Sequence, residues 1–556
     1  METIPRTSAS IIAQPKWRLF TAKNVPVCNF LPRVICIEEI TDPRSNQVVE
    51  SRLHLTLDFG TENSAEFILP LSSISRIIWS DLDRRCILNP DCRQARRHIE
   101  NSVRASLNQA PCRKRFRLDR TGVYHIGDEV VFAAGDKVIC CSESAFSGLD
   151  FETDQIPFRL DIDPQLSVEK AFKGISELMD LSPQISHILI AHTIAGFIRS
   201  SFLEVGFKPT AMLFIIGESG MLKSHYIPQM VQLYNRMDGI RPVTRLNSSS
   251  RFIEEVLCEY SDCTAVLDDL HTAQSQKIKK NNENTVEEIL RRVSDDTGRG
   301  YMDGKTHVQR RFRGNAIFIG EYMFGKASSI PRSLVLNLTR RPDGSVLDKY
   351  QRICPLTVSS FYHYFLKWYV EQYKEVCTSI NTRLTEFRRR FAISENHGRF
   401  NDMQFYLSES YLIFLSFCEE SKLISKEKKV SLYTNFMSRL KEVLAQQLLR
   451  YEKDLETSCK GEISKYIGQL YKNRHLKIAE NVEEFDRDKH DGIVYNKHLC
   501  LRGKVLEKIH PHLEKDEVIQ CLLNESALKL GADKRTIQIS KLSGMRFYAI
   551  KLECII

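Results

Sequence analysis

The chain has 556 residues, 42% hydrophobic and 27% charged, which excludes extended disorder and exceeds what one hydrophobic core usually organises. Its 79 Lys and Arg stand against 70 Asp and Glu, and a net charge of +9 is modest at this length, so a polyanion would have to be met by a local patch. The 16 cysteines spread from Cys28 to Cys554 with no CxxC pair and no Cys/His set at zinc spacing, which reads as free thiols in a reducing cytoplasm rather than a disulfide framework.

Residues 1–10 are polar and lack the apolar core of a secretory signal. Residues 1–163 read as a β-rich accessory domain. The runs 33–40, 51–58 and 65–71 are alternating and rich in β-branched residues, and turn residues such as Asp42-Pro43 and Gly60-Thr61-Glu62-Asn63 separate them. One helix is expected at 92–108, followed by a strand pair at 123–126 and 129–140. No catalytic constellation is visible in this region.

The pattern changes after Pro164. Residues 168–179 and 185–202 have helical periodicity. The second stretch is the most apolar in the chain, but His187, His192 and Arg199 interrupt it. A bilayer span needs about 20 predominantly apolar residues, so a buried helix and no membrane partner are expected. Three short continuous apolar runs follow, at 211–216, 264–267 and 315–319, with helical segments between them. Such runs suit strands buried on both faces of a parallel sheet, so 164–345 reads as an α/β domain. Residues 346–460 read as helical, with Phe361, Tyr362, Phe365 and Tyr369 as a packing seam. Residues 461–556 read as a winged-helix-like domain, with helices at 503–510 and 516–530 and strands at 536–539 and 546–552 around a Ser543-Gly544 turn.

The chemistry is concentrated in the α/β domain. Gly217-Glu218-Ser219-Gly220-Met221-Leu222-Lys223-Ser224 lies after an apolar strand and before a helix-compatible stretch, the setting of the phosphate-loop pattern G-x-x-x-x-G-K-[ST]. In such a loop backbone N–H groups wrap the phosphates of ATP, Lys223 reaches the β- and γ-phosphates, and Ser224 ligates Mg2+. Leu222 stands where the second glycine is expected, and its Cβ is tolerable if the residue is right-handed helical. The run Ala265-Val-Leu-Asp268-Asp269 begins to show its acids 44 residues beyond Ser224. Its strand is expected beside the loop strand, with Asp268 on magnesium and Asp269 positioning the attacking water. Glu321, after the third apolar run, is a candidate sensor of the γ-phosphate. Arg332, before an alternating apolar strand, is a candidate arginine finger.

In this order the elements resemble the AAA+-type ATPases of mobile genetic elements, the MCM-like self-loading helicases of chromosome cassettes. The resemblance covers roughly residues 30–345. The minichromosome-maintenance helicases have a loop of the form G-x-P-G-x-A-K-S, which also lacks the last glycine. Their finger motif S-R-F-D-L is similar to Pro331-Arg332-Ser333-Leu334-Val335, and Gly320-Glu321 and Thr121-Gly-Val-Tyr-His-Ile-Gly look like the mobile-element branch. Leu222 departs from the family's alanine and Asp269 from its glutamate. The resemblance implies an AAA+-type core and a homo-oligomeric ring, a hexamer, with Arg332 acting in trans. It also implies single-stranded or forked DNA as partner and other replication proteins of the element beside it. In helicases of this type a hairpin between the acid strand and the third strand grips DNA, and here that interval carries Lys305, Arg310, Arg311 and Arg313. Arg535, Lys541 and Arg546 near the carboxyl-terminal turn are a second candidate DNA surface. Two other readings remain open. One is a nucleotide-gated DNA-binding or scaffold protein whose loop has lost hydrolysis, which Leu222 favours. The other is a small-molecule kinase, for which no acceptor site is visible.

Overall fold

The computed structural model describes residues 16–60, 63–141, 150–208, 212–234, 236–237, 243–246, 248–270, 276–295, 300–303, 306–309, 311–321, 330–391, 398–459, 463–510, 513–531 and 535–555. A five-stranded sheet occupies the amino-terminal unit, in the spatial order Asp150–Glu152, Cys112–Arg117, Leu31–Asp42, Gln47–Asp58, Phe67–Pro70. At its centre is a long antiparallel hairpin that pairs Leu31 with Asp58 and Asp42 with Gln47. Successive strand residues face opposite sides, so Leu53, Leu55 and Leu57 all point inward. They share a core with Phe30, Trp79 and Ile99 and Val103 of helix Ala95–Leu107. The opposite face is polar: Arg52 meets Glu50 at 2.7 Å and Glu152 at 3.1 Å, and Arg117 meets Glu50 at 2.5 Å.

Strands Gly122–Ile126, Glu129–Ala134 and Lys137–Cys140 then form an antiparallel meander. The sequence reading has one strand across 129–140. The structure turns it at Gly135, where φ is +70° and a Cβ would stand 2.5 Å from the Phe158 carbonyl oxygen. The sequence reading also places this segment in the amino-terminal domain. Val131, Phe132 and Phe158 are instead buried in the same core as the central sheet. Periodicity shows that a strand has a buried face but not which core that face joins.

The central sheet has five strands: β1 (Met212–Ile216), β2 (Val243–Arg245), β3 (Thr264–Leu270), β4 (Asn315–Gly320) and β5 (Ser333–Asn337). All neighbours are parallel, in the order β2-β3-β4-β1-β5. Helices cover it, among them Val168–Asp180, Pro183–Phe197 and Lys223–Val231, the last labelled α1. The apolar stretch at 185–202 is two helices, because the chain leaves helical geometry at Ile198 before Arg199–Glu204. Among the described residues no helix is long and apolar enough to cross a membrane.

The helical region comprises Thr357–Glu371, Tyr373–Phe391, Gly398–Glu420 and Lys426–Cys459. Phe361, Tyr362, Phe365 and Tyr369 are fully buried there, and the Tyr362 hydroxyl donates to the Met230 carbonyl of α1 at 2.5 Å. The carboxyl-terminal unit is a six-stranded sheet with helices Ile463–Lys472 and Lys515–Asn524 around its own core. Its hairpin Gly492–Tyr495/His498–Leu501 is not foreseen from sequence, and the helix expected at 503–510 is only Gly503–Leu506. The Ser543-Gly544 turn is present: both φ angles are positive, and the Met545 N–H donates to the Leu542 carbonyl at 3.0 Å.

One buried carboxylate ties the meander to the central unit. Asp262, 1% exposed, accepts from the Val123 N–H at 3.0 Å, the Ser200 N–H at 2.8 Å and the Ser200 hydroxyl at 2.6 Å. Burial pushes this carboxyl above the ordinary range despite those donors. Asp262→Asn retains the shape but in either amide orientation sets an N–H2 against a backbone N–H, of Val123 or of Ser200, that can only donate. It is expected to cost about 2–4 kcal/mol, read as a lowered thermal midpoint. An unchanged midpoint would contradict the role given to this contact.

Candidate nucleotide site

The site begins with an apolar strand. Met212, Leu213, Phe214 and Ile215 are at most 1% exposed, because β1 is paired on both sides, with β4 through Ile216↔Gly320 and with β5 through Ile216↔Asn337. The chain leaving Ile216 is fixed at the carboxyl edge of the sheet by two further bonds. The Gly217 N–H donates to the Gly320 carbonyl at 3.2 Å, and the Leu338 N–H donates to the Ile216 carbonyl at 2.8 Å. A Cβ on Gly217 would stand 2.9 Å from the Leu338 carbonyl oxygen, so this position excludes a side chain.

The turn then opens to solvent. Glu218, Ser219 and Gly220 are exposed, and Gly220 has φ +82°. Leu222 caps α1 with φ 57° and ψ 23°, the left-handed region, and its carbonyl accepts from the Tyr226 N–H at 2.9 Å. The right-handed geometry in which a Cβ is tolerable is therefore not what the structure has. A β-carbon in that region costs about 1–2 kcal/mol. Its side chain packs on the central core, and a Cβ on Gly344 would be 3.8 Å from its Cδ1. Among the described residues, the N–H groups of Glu218, Ser219, Gly220, Leu222, Lys223 and Ser224 have no intramolecular acceptor. Unbonded donors in a turn that leads into a helix amino end suit an anion.

Lys223 is only 8% exposed, and its ammonium donates to the Gly217 carbonyl at 2.7 Å and the Glu218 carbonyl at 2.8 Å. Burial pushes it below the ordinary lysine range, and the charges of Glu321 and then Asp268 pull it back. The ammonium thus rests on the loop's own carbonyls, and the acids at the strand ends bear on its charge. The arrangement of those acids differs from the expectation. β3 is not beside β1, because β4 lies between them. Glu321 follows Gly320, the partner of Ile216, and so stands next to the loop, whereas Asp268 is two strands from β1, about 10 Å at ordinary strand spacing. Asp268 pairs with Arg245 of β2, and the β3–β4 register shifts between Leu267 and Leu270, where both aspartates lie. The side chain of Asp269 is outside the described residues.

The exposed Ser224 hydroxyl and the half-buried Asp268 carboxylate are oxygen donors of the kind magnesium takes. Among the described residues no three His, Cys, Asp or Glu gather as a metal cage.

Arg332 ends a short 3-10 turn before β5, and Ser333 pairs with Met212. It lies at the amino end of the sheet, some five strand residues or about 16 Å from the loop edge, beyond the reach of its own chain's loop. Strands Gly300–Asp303 and Thr306–Gln309 form an antiparallel hairpin. Lys305 and Arg310 lie outside the described residues. Arg311 is exposed. Arg313 is half-buried, its carbonyl accepts from the Asp262 N–H at 3.1 Å, and its charge bears on Asp262 and Arg120. Arg535, Lys541 and Arg546 are exposed on the carboxyl-terminal unit. The segment 338–344, to which the sequence reading gives no task, runs along the loop from Gly217 to Leu222.

No protein-family model and no curated protein sequence matches the chain. Among solved structures it is similar to one described as "SCCmec type IV Cch - active helicase", with a TM-score of 0.55 and 12% identity, over 95% of this chain and 94% of that one. The fold is thus similar to that structure's: a multidomain α/β chain built on a parallel sheet.

The handedness of Leu222 has a direct readout. Leu222→Gly and Leu222→Ala remove the same side chain, but only alanine keeps the strained β-carbon, so glycine is expected to be the more stable by about 1 kcal/mol. Denaturant unfolding of the two variants measures the order, and alanine above glycine would place the residue in right-handed geometry.

Proposed function

We propose that this chain is an ATP-hydrolysing DNA translocase, a replicative helicase of a mobile genetic element. The observation that carries the reading is the set of unbonded N–H groups, among the described residues, at Glu218, Ser219, Gly220, Leu222, Lys223 and Ser224, around a lysine on whose charge Glu321 and Asp268 bear. The likeness of the whole fold to a structure described as an active helicase supports it.

In this reading the loop N–H groups and Lys223 hold the β- and γ-phosphates, an electrostatic role that needs no covalent chemistry. Ser224 and Asp268 hold Mg2+, which supplies charge neutralisation across the phosphates. Asp269 and Glu321 take and orient the attacking water, with Glu321 the nearer to the loop. Arg332 serves the loop of a neighbouring subunit, since its own is beyond reach, and that requirement makes a homo-oligomer, read as a hexamer, part of the proposal. The hairpin with Lys305, Arg310 and Arg311 grips the DNA backbone inside such a ring. The exposed Arg535, Lys541 and Arg546 give the carboxyl-terminal unit, taken as winged-helix-like, a second contact. Arg313 is better suited to brace the hairpin's base. A cytoplasmic setting beside other replication proteins of the element follows.

Leu222 favours a second reading, a nucleotide-gated DNA-binding or scaffold protein. A strained loop residue can bind nucleotide in one geometry and still fail to reach the one that turns it over.

ATPase assays with and without single-stranded DNA separate the two. The motor predicts turnover that DNA stimulates and that Lys223→Ala lowers by about 10²–10³-fold. It also predicts that a mixture of Lys223→Ala and Arg332→Ala chains recovers turnover that neither shows alone, because each supplies the half the other lacks. Tight binding without turnover supports the scaffold, and turnover indifferent to DNA removes the nucleic-acid role.

A further inference from the structure

We propose that Arg340 and Arg341 form a second cationic wall of the nucleotide site, contacting the phosphate tail held by the loop of the same chain. The proposal rests on the nucleotide-binding reading and adds residues that no part of it uses.

The argument starts from where the chain goes after β5. Its exit is pinned to the loop strand by the Leu338 N–H to Ile216 carbonyl bond at 2.8 Å. The Leu338 carbonyl oxygen lies so close to Gly217 that a Cβ there would be 2.9 Å away. Six residues later Gly344 opens the short helix Gly344–Asp348, and a Cβ on it would lie 3.8 Å from Leu222 Cδ1. The segment between these contacts therefore spans the phosphate loop from its first residue to its sixth. Arg340 and Arg341 lie within that span, and both are exposed.

Charge gives the pair a reason to be there. The acid of this segment, Asp343, is engaged as a helix cap, accepting from the Ser345 N–H at 2.8 Å and its hydroxyl at 2.7 Å. Around the loop itself Glu218, Asp268 and Glu321 outnumber Lys223, so further positive charge there favours a polyanion. Two guanidinium groups restore the balance. Each offers a planar fork that fits phosphate oxygens with two parallel bonds, which a lysine does not. The ligand class is a nucleoside di- or triphosphate, recognised through its phosphates. Arg332, at the opposite end of β5, cannot perform this task on the same loop.

Equilibrium titration of the full-length chain with fluorescently labelled ATP and ADP, with magnesium, tests the proposal. The variants are Arg340→Ala/Arg341→Ala, Arg340→Lys/Arg341→Lys and Lys223→Ala, with the thermal midpoint of each as a check on folding. The alanine pair is expected to weaken ATP binding by about ten- to a hundredfold, with a smaller loss for ADP and partial recovery in the lysine pair. Unchanged ATP affinity in the alanine pair, while Lys223→Ala weakens it, overturns this proposal and leaves the loop reading intact. A wild-type chain that binds neither nucleotide overturns both.

Discussion

Strand β1 is hydrogen-bonded on both sides and sealed from water, and the rest of the site follows from that confinement. A buried strand with both edges paired can leave the sheet only at its carboxyl end, so the turn after Ile216 emerges on the edge where Glu321 and Asp268 also end. Apolar contacts hold the strand in place. Phe214 of β1 stacks on Phe318 of β4 at 4.6 Å between ring centres, and each fully buried large apolar side chain contributes about 1.5–3 kcal/mol. The parallel arrangement matters as much as the burial. Antiparallel neighbours would put the acids at the far end of the sheet.

The loop is not relaxed. Leu222 holds a backbone conformation that glycine would adopt without penalty, and the cost is borne by surrounding contacts: its carbonyl caps the first turn of α1, its side chain packs inward, and Tyr362 braces the same helix at Met230. Strain of this kind persists only where the surroundings over-determine it, and it tends to gather where geometry serves a ligand. The leucine side chain also lies close to Gly344, where a Cβ would be 3.8 Å from its Cδ1. The same residue thus bears on stability and on the shape of the site.

Much of this could be read from the residues. The apolar runs at 211–216, 264–267 and 315–319 are three of the five parallel strands, because a strand buried on both faces has to be continuously apolar. The aromatic seam of the helical region is packing, as its spacing indicates. What could not be read is adjacency. Nothing in the run ending at Asp268 tells that β4 comes between it and the loop, and that insertion makes Glu321 the nearer acid. Backbone handedness is equally silent, since leucine at 222 is compatible on paper with either sign of φ. Arg313 looks like one more cation of a basic hairpin, and only the fold sets it beside the buried Asp262. The run of meander strands was legible as β but not as part of the central core, because alternation is a local signal and core membership is not.

The central claim is that the backbone from Glu218 to Ser224 receives the phosphates. Amide hydrogen exchange resolved to that segment, with and without Mg2+ and a non-hydrolysable ATP analogue, measures it most directly. Rapid exchange in the free chain and strong slowing across those amides on adding the analogue is the predicted result, lost in Lys223→Ala. Saturating analogue that leaves the segment's exchange unchanged, or slows it elsewhere in the chain only, would contradict the account.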